Sequence, residues 1–289
     1  MTRTFLCSLR KWSMGMLSGL ALSALAANVA GADMQSAEAD SAWSLPAVST
    51  NRLKETVVRL CGDGAARNYL NCQIMSGVAD YCREQLAAAG AAVGDQWFQA
   101  GSQRYCNVIG SLATNQESRL VIGAHYDVCG DQPGADDNAS GVAGVLELAR
   151  MLKPLETSLK YRVDFVCYAL EEPPFFRSRL MGSYVHAESL ARSNVPVRGM
   201  IALEMIGFFS DAPKSQGFPV GVMKWFYPTT GNFISVVGNR GSRGLVREIA
   251  AGMKPLAIGV ETLVAPALVP GVDLSDHRSY WKFKWPAVM

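Results

Sequence analysis

The chain has 289 residues, of which 49% are hydrophobic and 18% are charged, which is enough apolar material to bury a full globular core. Its 27 basic and 25 acidic residues nearly balance, giving a formal net charge of +2, and no run of Lys or Arg stands out. This charge distribution argues against a nucleic-acid partner. We therefore expect one large globular domain that does not bind nucleic acid.

The first 32 residues have the pattern of a secretory signal peptide. Three basic residues near the start precede an apolar run over 14–30, and small residues at Ala30 and Ala32 suit cleavage before Asp33. A cut after Ala26 is the alternative. The apolar run is short and no stop-transfer charges follow it, so a membrane-anchoring helix is the weaker interpretation. We expect an exported protein, secreted or periplasmic, with no membrane span after signal removal.

Residues 33–49 are small and polar, which predicts a flexible N-terminal segment and places the globular domain at 50–289. Cys7 leaves with the signal peptide, and the remaining cysteines, even in number, permit disulfides without defining their pairing. Hydrophobic periodicity predicts helices at 50–60, 74–89, 140–152, 181–191 and 243–253, and strands around Gly101 and at 119–124, 161–170, 200–206, 233–237, 260–263 and 285–289. This alternation implies an α/β fold with a largely parallel sheet.

The stretch 121–141 reads VIGAHYDVCGDQPGADDNASG and carries the first candidate ligands. A buried strand delivers His125 and Asp127 to its carboxyl end, and Asp137 follows just before a helix begins. Open α/β sheets bind ligands at this edge, and imidazole and carboxylate groups suit a divalent ion such as zinc. Asp127 is a candidate partner for the second ring nitrogen of His125. The alternative is a strand-end histidine beside a turn-capping aspartate.

Further acids and one histidine follow later apolar runs. Glu171 and Glu172 end the predicted strand 161–170, and His277 lies in the C-terminal loop. Glu204 lies inside the run IALEMIGFF, where a buried carboxylate needs a cation, either a metal ion or an Arg or Lys side chain. Because parallel strands end at one edge of a sheet, we expect these side chains to converge with His125.

Five motifs, in this order, carry a family resemblance: GAHYD, PGADDNASG, ALEE, ALEMIG and SDHRSYW. Together they resemble the co-catalytic di-zinc aminopeptidases of the bacterial leucyl aminopeptidase type, a family that also holds glutamate carboxypeptidases and has glutaminyl cyclases as relatives. The resemblance covers about residues 53–289. It implies a zinc peptidase domain over 50–289 with the zinc exopeptidase fold, which has three layers, α/β/α, around a mixed, largely parallel sheet. Relatives continue beyond the last strand, so the C-terminal end looks truncated.

The resemblance implies a ligand set for two Zn²⁺ ions, consisting of His125, Asp137, Glu172, Glu204 and His277. Asp137 would bridge the ions, with His125 and Glu204 completing one site and Glu172 and His277 the other. The family more often has Asp at the position of Glu204, so the longer side chain of Glu204 changes the geometry at that metal position.

The resemblance also implies the catalytic role. Glu171 matches the general base, and Asp127 the partner that orients His125. The implied reaction is removal of N-terminal residues from peptides with a free N-terminus through a metal-activated water. The chain departs from the family at 173–179, a longer segment that either lines the specificity pocket or forms a rim loop.

Other functions fit the sequence less well. The sequence lacks the G-x-S-x-G motif of serine hydrolases and the H-E-x-x-H motif of thermolysin-like enzymes. A single-zinc glutaminyl cyclase remains an alternative, because the sequence does not show how many metal ions are bound. A non-catalytic binding module on the same fold is less favoured, since all the ligand positions are intact.

Overall fold

A computed structural model describes residues 46–62, 66–218, 220–254 and 258–289, together with residues 22, 23, 25–27 and 29. The helices are α1 (Thr50–Cys61), α2 (Cys72–Ala88), α3 (Gly141–Leu152), α4 (Gly182–Arg192), α5 (Arg243–Met253) and α6 (His277–Trp281). The strands are β1 (Ala92–Ala100), β2 (Gln103–Leu112), β3 (Arg119–His125), β4 (Arg162–Tyr168), β5 (Val197–Ala202), β6 (Phe233–Gly238), β7 (Gly259–Val264) and β8 (Ala287–Val288).

These strands form one mixed sheet in the order β1-β2-β4-β3-β5-β8-β6-β7. The central strands β4, β3, β5 and β8 run parallel, and β6 is parallel to β7. The pairs β1–β2, β2–β4 and β6–β8 are antiparallel. The predicted α/β fold with a largely parallel sheet is confirmed. Parallel strands buried on both faces explain the near-continuous apolar runs in the sequence.

Both faces of the sheet are covered, as a three-layer fold requires. Alternate residues of β3 point to opposite faces, so Leu120, Ile122 and Ala124 belong to one core cluster and Val121 to the other. The larger cluster contains the apolar sides of α1, α2, α3 and α5. The smaller one contains Ala187 and Leu190 of α4.

The predicted signal peptide lies outside the described residues except at six positions. These positions are helical, and Leu22, Leu25, Ala26 and Val29 pack into the larger core cluster. Across the described part of the chain, no helix has the length and apolarity needed to cross a bilayer.

Strand β5 ends earlier than predicted, and tertiary contacts explain the difference. The sequence pattern extended the strand over 200–206, whereas β5 stops at Ala202. The side chain of Asn138 donates to the carbonyl of Leu203 at 2.9 Å and accepts from the amide of Met205 at 3.3 Å. These bonds replace strand pairing, so Glu204 lies in a loop held over the end of the sheet.

Candidate metal centre

The buried ring of His125 lies at the middle of the candidate centre. His125 is the last residue of β3, and its Nε2 lies 3.3 Å from Asp137 Oδ1, 3.4 Å from Glu204 Oε2 and 3.9 Å from Glu171 Oε2. Asp137, Glu171 and Glu204 follow β3, β4 and β5, respectively, and Asp137 also precedes α3. The structure therefore brings four of the predicted site residues together at the carboxyl edge of the parallel strands.

Three side chains offer ligand atoms at a spacing that suits a single ion. One ligand atom each from His125, Asp137 and Glu172 lies within 4.8 Å of the others. The Nδ1 of His125 lies 3.2 Å from the carbonyl of Asp127 and 3.4 Å from its Oδ1, which favours a proton on Nδ1 and leaves the Nε2 lone pair facing the acids. Imidazole and carboxylate are zinc ligands, so these residues fit the metal that the family resemblance implies.

The electrostatics of the centre also favour a bound cation. The pKa of Glu172 is raised to about 7, mainly by burial; His125 lowers it, and the neighbouring Asp137 and Asp127 raise it. Burial likewise raises the pKa of Glu171 well above its usual value. Burial lowers the pKa of His125, but the carboxylates of Glu204 and Glu171 outweigh it, so this pKa is well above its usual value. Crowded buried carboxylates of this kind are stabilised by positive charge.

Asp127 joins the ends of β3 and β4. Its Oδ1 accepts from the amide of Glu171 and its Oδ2 from the amide of Glu172, both at 3.0 Å. The same carboxylate thus faces the ring of His125 and holds the backbone of both glutamates. It lies beside the ring that it was predicted to orient, and the contact with the two amides was not predicted.

His277 does not join the group formed by His125, Asp137 and Glu172. It is the first residue of α6, it is buried, and its Nε2 lies 2.8 Å from the carbonyl of Val272. Its Nδ1 is buried without a hydrogen-bond partner in the described structure. If Nε2 carries the proton, Nδ1 keeps a lone pair available to a cation.

Asp276 was not a candidate in the sequence, although it stands beside His277. Its carboxyl group is buried, and neither oxygen has a hydrogen-bond partner among the described residues. The pKa of Asp276 is raised to about 7, mainly by burial; the charge of His125 lowers it, and the negative charges of Glu204 and Asp127 raise it. A buried aspartate surrounded by these acids has the environment of the centre rather than of a helix cap. Only the turn into α6 places it there.

Asn138 and Ser275 were also missed, and both contact Glu204. Ser275 Oγ donates to Glu204 Oε2 at 2.7 Å, and Asn138 Nδ2 lies 3.3 Å from the same oxygen. These contacts orient the carboxylate of Glu204 toward His125. The motif letters contained both residues, but nothing in their spacing indicated the contact.

Arg67 supports the loop between His125 and Asp137 from behind. Its guanidinium is buried and donates to the carbonyls of Tyr126 at 2.7 Å, Leu60 at 3.0 Å, Pro133 at 2.5 Å and Gly134 at 2.5 Å. A single arginine after α1 gave no sequence signal for this role, since its four acceptors are backbone groups that any sequence provides.

Comparisons with known proteins identify the family. A buried histidine among carboxylates at the edge of a parallel sheet is a donor set that suits a divalent metal ion. Residues 107–289 match the profile of peptidase family M28, and the chain belongs to that family. It is 42% identical to the uncharacterized protein YfbL of Escherichia coli K12 over 83% of this chain and 76% of that one. It is 27% identical to leucine aminopeptidase 1 of Leptosphaeria maculans, over 59% of this chain but only 46% of that one.

Solved structures show the same fold at low identity. The LapA aminopeptidase of Legionella pneumophila superposes with a TM-score of 0.64 at 19% identity, covering 83% of this chain and 60% of that one. A glutaminyl cyclase of Fimbriiglobus ruber gives a TM-score of 0.60 at 21% identity, covering 85% and 84%. The predicted zinc exopeptidase fold is thereby confirmed. The chain spans less than two thirds of LapA and less than half of the fungal aminopeptidase.

Proposed function

We propose that this protein is a zinc-dependent aminopeptidase that hydrolyses N-terminal residues from peptides. The observation that carries the proposal is the group of His125, Asp137 and Glu172, with ligand atoms within 4.8 Å and Glu171 buried beside it, in a chain of peptidase family M28. The similarity to leucine aminopeptidase 1 supports the choice of substrate end.

The ligand set in this proposal is the one that the resemblance implies. Asp137, His125 and Glu204 would hold one zinc ion, and Asp137, Glu172 and His277 would hold the other. The 3.4 Å approach of Glu204 to His125 supports the first site. The Nδ1 of His277, which has no hydrogen-bond partner among the described residues, supports its inclusion in the second.

Glu171 is the proposed general base. Bound zinc would supply a Lewis acid and lower the pKa of a bound water toward ~7. Glu171 takes the proton of the attacking water on a carboxylate oxygen and returns it to the leaving amine. The bond from its amide to Asp127 holds its backbone in place.

A glutaminyl cyclase with one zinc is the second candidate. The observation that favours it is that the described ligand group has three members, enough for one ion, and does not include His277. A cyclase would join the α-amine of an N-terminal glutamine to the carbon of its side-chain amide with release of ammonia, instead of adding water. Elemental analysis of the purified chain, combined with assays on leucyl- and glutaminyl-anilides, separates the candidates.

Two zinc ions per chain with release of aniline from the leucyl substrate would support the aminopeptidase. One zinc ion with cyclisation of the glutaminyl substrate would replace it with the cyclase. No bound metal and no turnover would indicate a binding module. The variant His277→Ala should reduce bound zinc from about two to about one, because three protein ligands are usual for a catalytic zinc. Unchanged stoichiometry would remove His277 from the ligand set.

We further propose that the protein is exported and that its mature chain begins near Asp33. The charged start and the small residues before Asp33 support this proposal. N-terminal sequencing after expression in an exporting host tests it, and recovery of intact Met1 in the cytosol would contradict it.

A further inference from the structure

Two arginines converge at the rim of the candidate centre, on segments that directly adjoin it. Arg177 belongs to the loop after Glu172, and Arg278 follows His277 in α6. The guanidinium of Arg177 lies 2.7 Å from Asp273 Oδ1, and that of Arg278 lies 3.4 Å from Asp273 Oδ2. One carboxylate therefore lies between two positive charges, and these three side chains together carry one excess positive charge.

Both guanidiniums lie over the aromatic ring of Phe176. The guanidinium carbons lie 5.2 Å and 5.6 Å from the ring centroid, for Arg177 and Arg278 respectively, within the range of cation–π contacts. The amide of Phe176 donates to the carbonyl of Glu172 at 3.2 Å, so the ring is tied to a proposed ligand by one backbone bond. The neighbouring Phe175 packs edge-on against Tyr69 at 5.6 Å and anchors the loop on the domain.

Burial and backbone conformation indicate that the pair is more than a surface ion pair. The side chain of Arg278 is only 12% exposed, so one of the two guanidiniums lies below the protein surface. Arg177 has a φ of 63°, a left-handed backbone conformation that is uncommon outside glycine. Strained residues of this kind cluster at functional sites.

We propose that Arg177 and Arg278 recognise a carboxylate of the peptide substrate, an inference that rests on the proposed peptidase function. Each guanidinium carries five N–H donors in a planar fork that matches a carboxylate, and Asp273 accepts one hydrogen bond from each. Two sources of the carboxylate fit this rim. One is the side chain of an acidic N-terminal residue, and the other is the terminal carboxylate of a dipeptide.

Three dipeptides of similar shape distinguish these sources. Met-Gly-amide has no carboxylate, Glu-Gly-amide has one on the side chain, and Met-Gly has one at the terminus. We expect the zinc-loaded wild-type chain to favour one of the two acids over Met-Gly-amide by about tenfold or more in kcat/KM. A preference for Glu-Gly-amide would identify acidic N-terminal residues, and a preference for Met-Gly would identify the terminal carboxylate.

The variant Arg177→Gln should reduce the ratio of kcat/KM for the preferred acid to kcat/KM for Met-Gly-amide toward one. Arg177→Lys should retain part of this ratio because the charge remains. Arg179→Gln is the matched control in the same loop. Arg179 is 80% exposed and pairs instead with Glu188 at 3.8 Å, so its removal should leave the ratio unchanged. No acid preference in the wild type, or an equal preference in Arg177→Gln, would overturn the proposal.

Calorimetry separates this inference from the proposed function. In the Glu171→Gln background the same three dipeptides should bind with the same order of affinity, and Arg177→Gln should remove that order. If the wild type hydrolyses none of the dipeptides but the binding order is observed, the proposed peptidase function fails and carboxylate recognition stands. If hydrolysis occurs without any dependence on the carboxylate, carboxylate recognition fails and the proposed peptidase function stands.

Discussion

The carboxylate of Asp127 lies 3.0 Å from the amide of Glu171, and its second oxygen accepts from the next amide along the chain. The residue two positions after His125 therefore determines where the end of β4 lies relative to the end of β3. Because it orients a histidine and two glutamates at once, its effect on the centre should exceed that of any exposed acid in the same loop.

The variant Asp127→Asn tests this coupling. The amide nitrogen that replaces one oxygen cannot accept a hydrogen bond, so one glutamate N–H would face a donor. We expect metal affinity to fall by about 10- to 100-fold while the fold is retained. Competition with a chelator measures this, with the exposed Asp131→Asn as control. Equal affinities for the two variants would show that Asp127 does not orient the centre.

Glu171 and Glu172 are adjacent in sequence but should behave differently. Glu171→Gln keeps the shape and removes the basic oxygen, so both zinc ions should stay bound while activity on an aminoacyl substrate falls by about 10²-fold or more. Glu172→Ala removes a charged ligand and should lower metal content and activity together. Elemental analysis beside kinetics makes the comparison. Loss of metal in Glu171→Gln with retention in Glu172→Ala would exchange the two roles.

Arg67 should contribute strongly to stability. A lysine keeps the charge but cannot reach the carbonyls of Tyr126, Pro133 and Gly134 together, and buried carbonyls that lose a partner cost about 1–3 kcal/mol each. We expect Arg67→Lys to lower the free energy of unfolding by about 3 kcal/mol or more. Denaturant titration measures this against Arg59→Lys, an exposed position on α1. A difference below about 1 kcal/mol between the variants would contradict the prediction.

His186 should make stability depend on pH in the acid range. The ring is buried, its Nδ1 lies 2.6 Å from the hydroxyl of Tyr280, and burial lowers its pKa from 6.5 to about 4. The unfolded chain therefore binds a proton between pH 6.5 and 4 that the folded chain does not. Stability should be fully present above pH 6.5 and fall by up to about 3 kcal/mol as the pH drops to 4.

The variant His186→Asn isolates this effect, because acids elsewhere titrate in both proteins. Asparagine places a polar atom near the position of Nδ1 but does not titrate. The free energy of unfolding of the variant should decrease less steeply between pH 6.5 and 4 than that of the wild type, by as much as about 1.4 kcal/mol per pH unit. Parallel curves for the two proteins would show that His186 is not the responsible group.

Local sequence patterns were sufficient to predict the class of fold and most of the convergence at the centre. Apolar runs of strand length alternating with helical patterns can bury their surface only as a sheet covered by helices. Once the sheet is largely parallel, acids at the ends of its strands must meet at one edge, which is how His125, Asp137, Glu171 and Glu204 could be grouped in advance. These predictions depend on local periodicity, which the sequence carries directly.

The groups that support those side chains could be identified only from the folded chain. The contacts of Arg67 are with backbone carbonyls, and Asn138 stops β5 by bonding to a segment 65 residues away, at Leu203. The burial of Asp276 and the direction in which His277 faces depend on the turn into α6. The convergence of Arg177 and Arg278 on Phe176 joins a loop and a helix that are distant in sequence. Such contacts follow from how the loops pack, and no local pattern records that packing.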